Sequence, residues 1–253
     1  MTTEKVSFKG AFDDDLSAKL DWPDSGEVQS WVLFAHGFSI GKDLKPVRTI
    51  AKTLVDEGFG MMRFDFTGLG QSGGDFSDTN FSSNVKDILG AAEYLRTHHH
   101  APCVLIGHSF GGTAAIMAAR DIPEAKAVAT IGSPCDTNHI VHQFGDQLEE
   151  IEQEGEAQVM LAGRPFVIKE QFLEDVANQD MGEAISNLRR ALMVFHSPQD
   201  SVVGIQNASH IYSEARHPKS FVSLDGADHL LLKNPADAEY VARVLAAWAA
   251  RYI

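Results

Sequence analysis

Residues 103–120 read Cys-Val-Leu-Ile-Gly-His-Ser-Phe-Gly-Gly-Thr-Ala-Ala-Ile-Met-Ala-Ala-Arg, an apolar run, a glycine-flanked serine and a strong helix former in that order. No other stretch constrains the fold as much. To pass from a buried strand ending at Ile106 into a helix beginning near Thr113, the chain must reverse sharply through Gly107-His108-Ser109-Phe110-Gly111. Glycines flank the serine because a Cβ at those positions would collide with its neighbours. Such a turn holds Ser109 in a strained backbone conformation with its hydroxyl projecting above the sheet, and the helix aims its N-terminal dipole at charge developing beside that hydroxyl. A bare G-x-S-x-G arises by chance in roughly one chain of this length in ten, so the weight falls on what surrounds it.

A serine alone is inert at neutral pH, and two later segments supply partners. Val194-Phe195-His196-Ser197-Pro198-Gln199-Asp200 is an apolar strand running into an Asp-bearing turn, and Phe221 to His229 is a second strand running into a turn that ends in His. Ser109, Asp200 and His229 therefore follow strand ends in the order nucleophile, acid, base. Asp200 is expected within hydrogen-bond reach of His229, about 2.6–3.2 Å. Asp136, after the strand that follows the serine, is its rival. Asp225 and Asp228 lie too close to His229 along the turn to reach its far nitrogen easily.

Around this nucleus the chain alternates. Lys5–Lys9 and Leu16–Leu20, about an Asp-rich turn, read as an antiparallel hairpin at a sheet edge. The continuous apolar run Trp31–Ala35 reads as a strand covered on both faces, and Gly60–Phe66, Ala127–Gly132 and Ala191–Phe195 read as further strands. Helical spacing joins Val47, Ile50, Ala51, Leu54 and Val55, then Val85, Ile88, Leu89, Ala92 and Leu95, and finally Val241 to Trp248. The expected architecture is α/β, a mostly parallel and doubly covered sheet with an N-terminal antiparallel hairpin, in one domain over residues 1–253. Residues 137–190 break the rhythm, being far too many for one crossover. They hold an acidic helical stretch (Asp146–Glu154) and a small hairpin (Gln158–Leu161 with Pro165–Ile168). Placed above the C-terminal edge of the strands, they read as a lid whose Val141, Phe144, Met160, Phe166 and Phe172 need an apolar surface to face.

Composition narrows the function classes. Hydrophobic residues make up 44% and charged residues 22%, as in ordinary globular proteins. A formal charge of -14 argues against nucleic acid and against an anionic membrane as partners. No apolar run approaches a membrane span and the first residues do not read as a signal peptide, so cytoplasmic residence is expected. Cys103 and Cys135 are read as reduced core thiols. The run His98-His99-His100 falls where a helix ends and is read as exposed capping residues. The glycines after Asp65 lack the spacing of a nucleotide loop, so a tight turn braced by Asp65 is expected, with no cofactor and no metal.

With these motifs in place, the sequence resembles the α/β-hydrolase superfamily over nearly its whole length. His36-Gly37-Phe38, Asp65-Phe66-Thr67-Gly68-Leu69-Gly70-Gln71-Ser72, the glycine-flanked serine and the Asp200/His229 pair carry the resemblance. More narrowly, residues 64–70, 78–84 and 217–221 resemble a bacterial subgroup whose hydrolase module is often fused to an OsmC-like peroxide-reducing domain; nothing of that domain is present here, so its chemistry is not implied. The resemblance implies a serine esterase-type hydrolase and names no substrate; the small lid insertion read at residues 137–190 is expected to wall an apolar pocket favouring small-molecule esters with short to medium acyl groups. The resemblance also implies Ser109, Asp200 and His229 as catalytic residues, and the N–H groups of Phe38 and Phe110 as oxyanion donors. Peptidase, thioesterase, lactonase and cofactor-free haloperoxidase chemistry remain alternatives, as does a catalytically silent binding module. His36 is expected to brace the oxyanion turn, and His108 to serve in packing or hydrogen bonding.

Overall fold

Six of the chain's ten strands run parallel, and the three side chains and two backbone groups singled out by the sequence all follow their C-terminal ends. The computed structural model describes residues 1–253. In chain order the elements are β1 (Thr2–Lys9), β2 (Asp15–Trp22), β3 (Trp31–Ala35), α1 (Lys45–Asp56), β4 (Gly60–Phe64), α2 (Phe81–His98), β5 (Val104–His108), α3 (Phe110–Ala118) and β6 (Ala127–Ile131). The insertion contributes α4 (Gln147–Glu154), β7 (Glu156–Leu161), β8 (Arg164–Lys169), α5 (Glu170–Ala177) and α6 (Met181–Ser186). The sheet then resumes with β9 (Ala191–His196), α7 (Gln206–Glu214), β10 (Lys219–Ser223) and α8 (Pro235–Ala249).

The main sheet has eight strands in the order β1-β2-β4-β3-β5-β6-β9-β10. β1 and β2 pair antiparallel, and β2 joins β4 antiparallel; every other pairing is parallel. The expected edge hairpin and parallel core are both present. Because β3 lies between β4 and β5, the strand order reverses there, and ligands of open α/β sheets bind at such a reversal.

Strand pleating divides the core in two. Within β3, Val32 and Phe34 face the helices α1 and α8, while Leu33 and Ala35 face α2, α3 and the insertion. Both sets are buried, which is why β3 reads as an unbroken apolar run. α2 starts from a capping box in which the Asn80 side chain accepts from the Ser83 N–H and the Ser83 hydroxyl accepts from the Asn80 N–H. At its other end His99, half-buried, packs its ring 4.8 Å from that of Trp31. The histidine run is thus a helix end resting on tryptophan, with His98 and His100 exposed.

Residues 137–190 pack Phe144, Ile151, Val159, Phe172 and Val176 into the same core as α2 and α3. Polar ties reinforce this: the Ser82 N–H donates to the Asp175 carboxylate (2.8 Å), the Asn80 amide to Gln171 (2.6 Å), and the Thr137 hydroxyl to the Val176 carbonyl (2.6 Å). Phe144 and Phe172 are fully buried, as expected. Met160 is not: it is 62% exposed. In β7 the alternation places Ala157, Val159 and Leu161 inward, so Met160 points to solvent.

Candidate active site

Ser109 sits between β5 and α3 with φ 52° and ψ −129°, a conformation uncommon for a residue with a side chain. It is held there by its N–H, which donates to the Ile131 carbonyl at 2.8 Å. The neighbouring glycines are required by contact: a Cβ on Gly107 would lie 2.3 Å from the Gly111 carbonyl oxygen, and one on Gly111 would lie 2.2 Å from that of His36. This is the reversal the sequence predicts, with strand and helix crossing too closely for any side chain.

Asp200 and His229 meet as expected. The His229 Nδ1–H donates to Asp200 Oδ2 at 2.7 Å, and Asp200 Oδ1 accepts from the N–H groups of Val202 and Val203, both at 2.9 Å. Burial alone would raise the Asp200 pKa. The His229 hydrogen bond and charge, with the two N–H donors, outweigh burial and hold the carboxyl below the usual range. Gly132 closes the pair from the side: a Cβ there would come within 3.2 Å of Asp200 Oδ2 and 3.3 Å of His229 Nδ1. The rivals are engaged elsewhere. Asp136 accepts from the His139 N–H, Asp225 from Gln199, and Asp228 caps its own loop through the N–H groups of Leu230, Leu232 and Lys233.

Ser109 and His229 share a cavity of about 230 Å³ whose wall includes Phe38, Gln143, Ala162 and Val202. The Ser109 hydroxyl makes no hydrogen bond at rest, as is common in unliganded sites. Phe38 and Phe110 bring their rings to 5.6 Å, edge to face. The Phe38 N–H has no acceptor within the protein, and Phe110 is the first residue of α3, whose N–H has no carbonyl one turn earlier to take it. Both N–H groups named from the sequence are therefore without a backbone acceptor, Phe38 in the cavity wall and Phe110 next to Ser109 in the chain.

Three further histidines support the site. His36 accepts the Phe66 N–H at Nε2 (3.4 Å), so its Nδ1–H donates to the Gly37 carbonyl (2.8 Å); burial lowers its pKa and keeps it neutral. It braces the turn at Gly37-Phe38. His108, with a pKa pushed down to about 3 chiefly by burial, is neutral and donates Nε2–H to the His229 carbonyl at 2.8 Å, tying the serine turn to the histidine loop. His196 was not foreseen. It ends β9 and donates Nε2–H to the Val203 carbonyl at 2.7 Å, fixing the loop that aims Asp200. Its place at a strand's C-terminal end was the signal available. Asp65 does brace its turn, accepting from the N–H groups of Lys42 and Gln71 at 2.8 and 2.9 Å, but its main charge partner is the buried Lys42 ammonium. Cys135, half-buried beside Asp136, has its thiol pushed up to about 11 by burial first and that carboxylate second.

A set of phenylalanines joins the turn at Phe38 to the insertion. The Phe38 ring lies 5.4 Å from Phe76, 5.5 Å from Phe172 and 6.5 Å from Phe144, and Phe76 lies 4.6 Å from Phe166.

Comparison with known proteins agrees with this geometry. A crystal structure of the esterase domain of a Rhodothermus marinus protein is 45% identical over 100% of this chain and 99% of that one, with a TM-score of 0.82. Est1E from Butyrivibrio proteoclasticus, with ferulic acid bound, shares the fold at a TM-score of 0.83 and 20% identity over 97% of this chain and 98% of that one. The mitochondrial palmitoyl-protein thioesterase ABHD10 of Rattus norvegicus is 30% identical over 129 residues, which are 49% of this chain and 42% of that protein. This chain thus aligns with less than half the length of that relative. The model of the family described as serine aminopeptidase, S33, matches residues 26–157, just over half of the chain, and the chain belongs to this family of α/β-hydrolase serine hydrolases.

Proposed function

We propose that the protein hydrolyses carboxylic esters through an acyl-enzyme on Ser109, with His229 as base and Asp200 as its orienting acid. One observation carries the reading: an Asp200–His229 pair at 2.7 Å opens onto the same small cavity as a strained, glycine-flanked serine. In the proposed reaction His229 Nε2 takes the serine proton as the hydroxyl attacks the carbonyl, and returns a proton to the departing alcohol. Asp200 holds the proton on Nδ1, so that Nε2 is free to accept, and stabilises the transient imidazolium. The oxyanion is received by the N–H groups of Phe38 and Phe110; losing one such donor typically costs about 3 kcal/mol of transition-state stabilisation. Water activated by the same imidazole then releases the acyl group.

The cavity of about 230 Å³ is below the usual range for drug-sized ligands, which favours short acyl groups. Gln143 and Ala162 line the cavity, which supports reading residues 137–190 as a cap over Ser109. A thioester reading is favoured by the partial similarity to ABHD10 and uses the same residues. The test is turnover of a p-nitrophenyl ester series with labelling by a fluorophosphonate. Expected are hydrolysis of short esters that declines as the chain lengthens beyond medium size, labelling at Ser109, and a loss of several orders of magnitude in Ser109→Ala with the fold intact. Full activity in that variant, labelling elsewhere, or best activity on long acyl chains would overturn the reading. Faster turnover of acyl thioesters than of matched esters would favour the second one.

A further inference from the structure

Between the loop after β3 and the turn of the β7–β8 hairpin lies a second, larger depression of about 520 Å³. It adjoins the Ser109 cavity, since Ser39, Ile40, Ala162 and Leu230 line both. Leu230 directly follows His229, so one wall of the depression is built by the loop that carries the imidazole. The group that receives its proton from His229 must depart on the side of that imidazole. A substrate held with its acyl half in the small cavity thus extends its alcohol half into the larger one.

The charges along this depression are already matched, with one exception. Asp65 is paired with Lys42, and Asp43 with Lys19 and Arg63, whose second partner is Asp21. Arg164 makes no ion pair. Its guanidinium gives one N–H to the Ser39 carbonyl and lies over the Phe166 ring, 5.2 Å from the centroid. Those contacts fix a planar cation at the wall of the depression while leaving most of its N–H donors unused. A fixed guanidinium with free donors is suited to a carboxylate, which it can grip through two parallel hydrogen bonds. The rest of the molecule carries a large negative charge, -14 over the chain, so this lone cation is not part of a general attraction for anions.

We propose that Arg164 is an anion subsite for the leaving group, selecting esters whose departing alcohol carries a carboxylate; the proposal rests on the ester-hydrolase reading above. The test compares kcat/KM for 4-acetoxyphenylacetate and for its neutral carboxamide, in which the methylene keeps the two phenols similar as leaving groups. The wild-type protein should favour the anion by about tenfold or more, the lower end for a charge-assisted hydrogen bond. That ratio should fall toward one in Arg164→Gln, drop below one in Arg164→Glu, recover in part in Arg164→Lys, and shrink as salt is raised. Calorimetric binding of the product, 4-hydroxyphenylacetate, to Ser109→Ala should weaken by a similar factor when Arg164→Gln is added. Turnover with the same anion-to-neutral ratio in wild type and Arg164→Gln overturns the subsite and leaves the esterase reading standing. An equal loss on both esters also overturns it, because Arg164 then serves only to anchor the hairpin. No turnover of either ester, with Arg164-dependent binding of the product retained, sinks the esterase reading and leaves the anion subsite in place.

Discussion

Replacing Asp200 with Asn tests the proposed chemistry without removing the side chain's structural work. Asp200 Oδ1 accepts two backbone N–H bonds, from Val202 and Val203, while Oδ2 accepts one from His229. In Asp200→Asn the amide oxygen will keep the two backbone donors, since turning the NH2 toward them would leave both unpaired at about 1–3 kcal/mol each. The NH2 then faces His229 Nδ1, which must become an acceptor. Its proton moves to Nε2, the atom that has to take the proton of Ser109. A wrong tautomer of this kind costs about 10⁴ in kcat, equivalent to roughly 5 kcal/mol of barrier. Expected, therefore, is a loss of about four orders of magnitude in p-nitrophenyl acetate hydrolysis with the fold retained and only a modest fall in melting temperature at neutral pH. Asp200→Ala should lose activity as well, but also stability, because both N–H groups lose their acceptor. Retention of more than about a tenth of the activity in Asp200→Asn, or a larger loss in Asp136→Asn, would refute the reasoning.

The pH dependence of stability should carry the mark of the same carboxylate. Because its folded pKa lies below the usual Asp value, its contribution is present above about pH 4 and lost as pH falls through the lower folded value, so urea midpoints of wild type and Asp200→Asn should converge as pH drops. A gap that stays constant down to pH 2 would contradict this. Gly107→Ala places a Cβ 2.3 Å from the Gly111 carbonyl oxygen and from the Gly112 Cα, backbone atoms that cannot swing aside, and should cost about 3 kcal/mol in denaturant unfolding; wild-type stability would show that the reversal is looser than described. The Cys135 thiol, pushed up to about 11, should react slowly with iodoacetamide at neutral pH and activity should survive the treatment; rapid loss of activity would implicate a thiolate in turnover.

The parts of the fold most open to reading from the sequence are those whose neighbours are local. β3, β4, β5, β6 and β9 are buried on both faces, so their apolar runs need no partner to be recognised. α5 and α7 escaped because each buries only two or three residues, Phe172 and Val176 in one, Asn207, Ala208 and Ile211 in the other. Such narrow faces leave little periodicity. Met160 was assigned inward because a short alternating strand has two phases and only the packing partner chooses between them. Ser109, Asp200 and His229 were legible from order and strand context. Lys42 and His196 were not, because a charge buried on a distant carboxylate and an imidazole tied to a loop carbonyl leave no local pattern.

The phenylalanine cluster implies a division of labour among residues open to redesign. Phe38 supplies a proposed oxyanion donor from its backbone and leans its ring on Phe172 and Phe144 of the insertion. The position of that N–H is thus set partly by side chains of the insertion, and the insertion cannot be exchanged between relatives as a detachable cassette without moving it. Gln143, Ala162 and Val202 reach the cavity without joining the cluster. Natural drift or laboratory selection can alter those three to reshape what enters, while the rings behind Phe38 hold the machinery constant.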